Sequence, residues 1–308
     1  MKKEYKFKVE HCIKSGELCT LCKNLLQKGH KFIEIKEDLK EGDIIIREAG
    51  KYHFQCIAKR NYFIAFLDIL GFTQFTQNST LDEVYNEIQN MFAAARASRV
   101  EGNVRIGNSN NPITLSNLMY LTISDSIIVF QEVIQLVDIE EEFKWKEESF
   151  GEFILGLEEL YKEAFKRKIF LRGGISYGEA IISLDSENKE NIILGNTYIE
   201  AVKMEKVQSW MGLAFHPSMG EYLNKTSYKS ILVEYDIPVK KEYVNLGIPN
   251  FTIGWVDSSN AQDRDIFKGW VTENDRQNEI KINTLKFFKD CIKRESRALN
   301  IGVDLEQV

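Results

Sequence analysis

The stretch Asn61-Tyr-Phe-Ile-Ala-Phe-Leu-Asp-Ile-Leu-Gly-Phe-Thr73 constrains this chain more than any other. Its run from Tyr62 to Leu67 is wholly apolar and rich in aromatics, the pattern of a strand covered on both faces, and it stops at Asp68 with Gly71 just beyond. A carboxylate delivered by such a strand is costly to bury unless a cation compensates it. Taken alone, Asp-x-x-Gly after a strand favours a turn, or a cap for a helix beginning near Ser79.

Downstream, Leu81, Val84, Tyr85, Ile88, Met91 and Phe92 recur at helical spacing behind Asp82 and Glu83, which predicts an amphipathic helix from Ser79 to Arg99. A polar loop from Gly102 to Asn117 leads to Leu118–Phe130, two short strands flanking Ser124-Asp125-Ser126, a hairpin with a carboxylate at its tip. The pattern then predicts a helix over Glu147–Lys166, a strand over Ile169–Ile175 ending at Gly173-Gly174, and a separate strand over Ile181–Leu184. Next come Ile192–Leu194, a helix from Thr197 to Met211, a strand over Ser230–Pro238, the aromatic piece Phe251–Val256 and a helix over Asn278–Arg297. Alternating strands and helices with one internal hairpin indicate an α+β sheet with helices packed on it.

At 308 residues the chain is long for one domain. No apolar run approaches the ~20 residues of a membrane span, and Met1-Lys-Lys-Glu-Tyr-Lys-Phe-Lys lacks the apolar segment of a secretory signal, so the expected location is the cytoplasm. Residues 1–60 carry 14 Lys/Arg against 9 Asp/Glu, leaving 26 against 37 of the chain's 40 and 46. The acidic body argues against general nucleic-acid binding, while the basic first segment leaves that open locally.

That segment also holds Cys12, Cys19, Cys22 and Cys56 of the five cysteines, and His11, His30 and His53 of the four histidines. In a reducing compartment this reads as metal binding before disulfides. Cys19-x-x-Cys22 and His53-x-x-Cys56 supply two ligand pairs, enough for a closed structural Cys3His zinc site; His11 or Cys12 could take the place of His53. The spacing, with thirty residues between the pairs, resembles the poly(ADP-ribose) polymerase-type zinc finger. Such a finger either binds a nucleic-acid end or partner, or replaces a core in a segment too small to fold unaided.

Asp68 and Asp125 end different apolar strands, and hard divalent cations such as Mg²⁺ or Mn²⁺ take few carboxylates plus substrate phosphates. Paired strand-end aspartates therefore suggest two-metal phosphoryl or nucleotidyl transfer. Four pieces in order carry a resemblance: Phe66-Leu-Asp-Ile-Leu-Gly-Phe-Thr73, Ile123-Ser-Asp125, Arg172-Gly-Gly-Ile-Ser-Tyr-Gly178, and Gly195-Asn-Thr-Tyr-Ile-Glu-Ala-Val-Lys-Met-Glu205. Together, over roughly residues 61 to 215, they resemble the class III nucleotidyl cyclase catalytic domain. The resemblance implies a ferredoxin-like βαββαβ sheet, two Mg²⁺ or Mn²⁺ held by Asp68, the Ile69 backbone carbonyl and Asp125, and catalytic roles for Lys203 and Arg172. It also implies a head-to-tail homodimer with each site shared between protomers.

The departures from that family bear on the substrate. Its base-reading Lys is Leu121 here, with Tyr120 beside it as a candidate for the base pocket, and an Asp of its adenylate members is Ile192. The Asn of its last helix is Ile199, and the Arg that meets the phosphates is Lys203, a point charge without a bidentate fork. Retained metal aspartates without purine readers resemble the pyrimidine cyclases of the Pycsar anti-phage systems, which implies cyclisation of UTP or CTP. A catalytically silent module that binds nucleotide or nucleic acid is the alternative. The expected domains are a zinc-binding segment over 1–60, a cyclase domain over 61–240 and a packed C-terminal extension over 241–308.

Overall fold

The computed structural model describes residues 9–11, 31–35, 39–41, 44–47, 50–53, 60–97, 103–104, 113–114, 118–133, 139–185, 190–256, 261–270 and 279–299. Before residue 60 these are five short strands, β1 (Val9–His11), β2 (Lys31–Ile35), β3 (Leu39–Glu41), β4 (Ile44–Arg47) and β5 (Gly50–His53). β1, β2 and β5 form a small antiparallel sheet in which His53 stands opposite Phe32, and β3 pairs with β4. Of the expected zinc ligands, Cys19, Cys22 and Cys56 lie outside the described residues, and His53 is described only by its place in β5.

The main body runs β6 (Arg60–Leu70), α1 (Phe72–Asn78), α2 (Leu81–Ala97), β7 (Asn103–Val104), β8 (Ile113–Thr114), β9 (Met119–Ile123), β10 (Ser126–Val133), α3 (Ile139–Lys166) and β11 (Phe170–Asp185). It continues through β12 (Glu190–Leu194), α4 (Asn196–Val207), β13 (Leu213–Phe215), α5 (Gly220–Lys225), β14 (Leu232–Glu234), β15 (Phe251–Ile253), α6 (Ala261–Trp270) and α7 (Glu279–Leu299). The six-stranded sheet has the order β12-β11-β6-β10-β9, with β13 added parallel to β11. Within it β11, β6, β10 and β9 are all antiparallel neighbours, so the fourth, first, third and second strands stand side by side, with α2 and α3 as crossovers. This is the βαββαβ order of a ferredoxin-like sheet. Thr80 and Glu83 start α2 as a capping box: the Thr80 hydroxyl accepts from the Glu83 amide at 3.3 Å and the Glu83 carboxylate accepts from the Thr80 amide at 2.7 Å.

Strand alternation separates two apolar layers. Phe63, Ala65, Leu67 and Ile69 face α2 and α3 in the main core, while Tyr62 and Ile64 pack with Ile128, Phe130, Ala180 and Ala201 of α4 on the opposite face. Phe63 lies within 6 Å of the rings of Phe150 (5.4 Å), Phe153 (5.7 Å) and Tyr177 (4.7 Å). From the C-terminal helix α7, Phe287 reaches Trp210 (4.9 Å) and Trp255 (5.8 Å), so that helix shares the main core. Phe287→Leu is expected to lower stability by about 1 kcal/mol, read as a lower urea midpoint with unchanged slope. Among the described residues no helix is long and apolar enough to cross a membrane.

Three local expectations differ from the structure. Gly173-Gly174 does not end a strand: β11 runs unbroken from Phe170 to Asp185, and the glycines sit where neighbours crowd the backbone. A Cβ on Gly174 would stand 2.2 Å from the Ala201 carbonyl oxygen and 2.4 Å from the Met204 Cβ. Ser230–Pro238 is not one strand but a 3₁₀ turn, Ser227–Ile231, followed by three residues of β14, because its partner β15 is itself three residues long. The third is Asp68, which lies inside β6 rather than at its end, because pairing with β11 continues to Leu70.

Candidate active site

Asp68 is flanked on both sides. Its register partners are Ser126 on β10 and Arg172 on β11, so Asp68, Ser126 and Arg172 share the face that carries α4. The β9–β10 hairpin closes with two residues, Ser124 and Asp125, between the paired Ile123 and Ser126. Ser124 adopts φ +57°, a left-handed conformation uncommon for a residue with a Cβ. The hairpin tip is fastened to β6 by the Ile69 amide, which donates to the Asp125 carbonyl at 2.9 Å. An extended residue directs its N–H and C=O to the same side, so the Ile69 carbonyl also faces this tip. The Asp125 carboxylate accepts from the Ser126 hydroxyl at 3.4 Å.

Arg172 joins Asp68 to α4. Its Nη2 lies 3.3 Å from an Asp68 oxygen and also contacts Glu205, to which its Nε donates at 2.7 Å. The Glu205 side chain is nearly enclosed, at 5% exposure, against 24% for Asp68. One guanidinium therefore serves two carboxylates, with Asp125 close enough for its charge to be felt. Burial, then Glu205, raises the Asp68 pKa; Arg172 opposes this, and Asp125 adds a smaller upward push. The site carries more negative charge than its own cation neutralises.

That surplus bears on whether divalent cations fit. Among the described residues no group of three or more His, Cys, Asp or Glu side chains is placed to hold a metal. Two carboxylates and the Ile69 carbonyl instead suit a Mg²⁺ or Mn²⁺ that completes its shell with phosphate oxygens and water. A cleft of about 640 Å³ at the end of β6, lined by Leu70, Gly71, Gln74, Lys168, Phe170 and Lys281 among others, has none of Asp68, Asp125, Arg172 and Glu205 in its lining and is separate from this cluster.

The other expected site residues are not all brought here. Tyr120 is not on this face: it pairs with Val129 and packs at 5.0 Å against Phe92 of α2, in the main core. Its neighbour Leu121, opposite Ile128, takes the Asp68 face and packs in the cluster with Phe66 and Tyr198. A one-residue step reverses the facing of every side chain in a strand, so the two positions cannot both line one pocket. Ile192 is exposed on β12, and its neighbour Ile193 is the one that joins that cluster.

Lys203 is exposed on α4 two positions from the inward Glu205, so it points away from its own chain's Asp68. It lies on the same stripe as Ile199, which is 62% exposed. There Lys203 acts on His216, whose Nδ1 lies 3.6 Å from Glu200 and accepts from the Ser218 amide at 3.3 Å. Burial lowers the His216 pKa, Glu200 opposes this, and Lys203 pushes it further down.

Arg172 is committed to two carboxylates rather than standing open. The sequence motifs leave Glu205 without a role, although Ala201, Met204 and Glu205 share one helical stripe, and a carboxylate on an otherwise apolar stripe demands a cation.

No protein-family model matches the chain, and no curated protein matches it. Solved structures similar to it include the adenylyl cyclase CyaB from P. aeruginosa, at 13% identity, TM-score 0.39, covering 65% of this chain and 95% of that one. A dimeric guanylyl cyclase domain of the RhoGC fusion protein from Blastocladiella emersonii is similar at 14% identity, TM-score 0.37, over 54% of this chain and 85% of that one. An adenylate cyclase from Trypanosoma brucei in its monomeric state gives 13% identity, TM-score 0.36, over 65% and 91%. At such TM-scores the chemistry has to be argued from the residues themselves.

Proposed function

We propose that this chain is a nucleotidyl cyclase that converts UTP or CTP to the 3′,5′-cyclic monophosphate and pyrophosphate. The observation that carries the reading is the placement of Asp68 and Asp125 at one end of a 4-1-3-2 sheet, the second fastened to the strand of the first. Asp68, the Ile69 carbonyl and Asp125 would hold two Mg²⁺ or Mn²⁺, which supply Lewis-acid activation of the ribose hydroxyl and neutralise phosphate charge. In the reaction the 3′-hydroxyl loses its proton as its oxygen bonds to the α-phosphorus, and the bond to the β-phosphate bridging oxygen breaks. Leu121 stands on that face where the resemblance puts the Lys that reads a purine, and the loss of that reader supports a base other than adenine or guanine.

The outward facing of Lys203 and Ile199 supports a second copy of this chain docked head to tail, with Lys203 meeting the phosphates bound by its partner. Lys203→Ala is then expected to lower turnover by about 10²-fold. Mixing it with Asp68→Ala should restore about a quarter of wild-type activity, since half the dimers would be mixed and each would hold one intact site. No recovery on mixing would place Lys203 outside the shared site.

Purified protein incubated with each of the four NTPs and Mn²⁺ tests the reading. Cyclic UMP or cyclic CMP that vanishes in Asp68→Ala supports it, and cyclic AMP alone would return the chain to the purine class. The second reading, a silent nucleotide- or nucleic-acid-binding module, is favoured by Arg172 standing on Asp68 and by the exposed Ile199. It predicts no product from any NTP. A role in anti-phage defence rests on the Pycsar resemblance. The Cys19, Cys22, His53 and Cys56 zinc site, with its nucleic-acid or protein partner, rests on ligand spacing; zinc content of Cys19→Ser and His53→Ala tests it.

A further inference from the structure

We propose that Glu205 is a positioning residue that limits the Arg172 guanidinium to a single contact with Asp68, leaving that carboxylate open to a divalent cation. The inference rests on the reading of Asp68 as a metal ligand and concerns how α4 governs it.

Arg172 has one positive charge and two claimants. Glu205 takes it at both Nε and Nη2, while Asp68 is reached only by Nη2, at 3.3 Å. Two contacts to a nearly enclosed carboxylate fix the orientation of the planar guanidinium, whereas a single longer contact to the more exposed Asp68 does not. A cation arriving at Asp68 therefore displaces one weak contact and leaves Arg172 charged and paired. Without the Glu205 carboxylate, the only charge partner in this network is Asp68, and a guanidinium seated there in bidentate fashion competes directly with a metal ion.

The consequence reaches beyond the pair. Glu205 is on α4, whose outward stripe carries Ile199 and Lys203, and its amide lies where a Cβ on Gly174 would come within 2.7 Å. The helix is thus seated against β11 by close backbone contact on one side and exposed on the other. Its packing against β11 thereby fixes the helix from which Glu205 reaches Arg172.

The test is a Mn²⁺ titration of the full chain, with free Mn²⁺ read by electron paramagnetic resonance without substrate. Glu205→Gln, of nearly the same shape, should weaken Mn²⁺ binding about tenfold or more. The double variant Glu205→Gln/Arg172→Met should return binding to the wild-type level, because the competitor is gone. Circular dichroism and the melting temperature of each variant establish that it is folded. If Glu205→Gln binds Mn²⁺ like wild type while Asp68→Asn does not, the inference fails and the metal site stands. If the double variant stays as weak as Glu205→Gln, Glu205 is itself a ligand and the positioning role is wrong. Equal binding by wild type and Asp68→Asn would overturn the metal site and the inference with it.

Discussion

Asp68→Ala is expected to remove at least about 10³-fold of cyclic nucleotide formation, about 4 kcal/mol of transition-state stabilisation, since Asp68 is the centre of the proposed metal site. A loss that large could also come from misfolding, and the charge state of Asp68 separates the two. Burial and Glu205 raise its pKa, so the folded chain holds a proton there more readily than the unfolded chain does. The charged carboxylate therefore costs stability at neutral pH, and the cost fades as pH falls through the raised folded value toward the ordinary one near about 4. Asp68→Asn should consequently melt at the wild-type temperature or above it at pH 7 without metal, and the gap should close as the pH is lowered. Arg172 keeps Glu205 in that variant, so no guanidinium is stranded. Mn²⁺ should raise the melting temperature of wild type and leave that of Asp68→Asn unmoved. An Asp68→Asn protein that melts well below wild type at pH 7 would mark Asp68 as a structural ion-pair partner.

The parts of this site legible in the sequence are those that follow from period and order. The apolar run of β6, the hairpin around Ser124-Asp125 and the α+β alternation all depend on local pattern, whereas the pairing of Asp68 with Ser126 is a register between strands far apart in sequence. Tyr120 and Leu121 differ by one residue of alternation, and which of them faces Asp68 is set by the register of β10 against β6: Ser126 and Ile128 stand opposite Asp68 and Phe66, which puts Leu121 on that face and Tyr120 on the other.

The role of Gly173-Gly174 is not legible in the sequence. A glycine pair looks identical whether the backbone must turn or a neighbour must approach, and only the position of α4 distinguishes the two. Glu205 falls between these cases. Its stripe on α4 betrays a buried carboxylate, but that its cation is Arg172, shared with Asp68, depends on the register of β11 against β6.

Gly174 is where the fold and the proposed chemistry meet, and its substitution should show both. A Cβ there would meet the Ala201 carbonyl oxygen at 2.2 Å, the Met204 Cβ at 2.4 Å and the Glu205 amide nitrogen at 2.7 Å. Two of these are backbone atoms of a hydrogen-bonded helix, which cannot swing aside as a side-chain end can, so α4 must shift from β11. Gly174→Ala is therefore expected at the upper end of overpacking costs, about 3 kcal/mol, lowering the melting temperature by about 6–12 °C. Gly269→Ala is the matched control: a Cβ there meets nothing within 4 Å on α6, and the substitution should be neutral or raise stability by up to about 1 kcal/mol. A shifted α4 carries Glu205 with it, so the Gly174→Ala protein that remains folded should also bind Mn²⁺ more weakly. Adding Arg172→Met should restore that binding without restoring the melting temperature, because the competitor for Asp68 is gone while the clash with α4 remains. Loss of stability with Mn²⁺ affinity intact would show that α4 can move without disturbing the Asp68–Arg172–Glu205 triad.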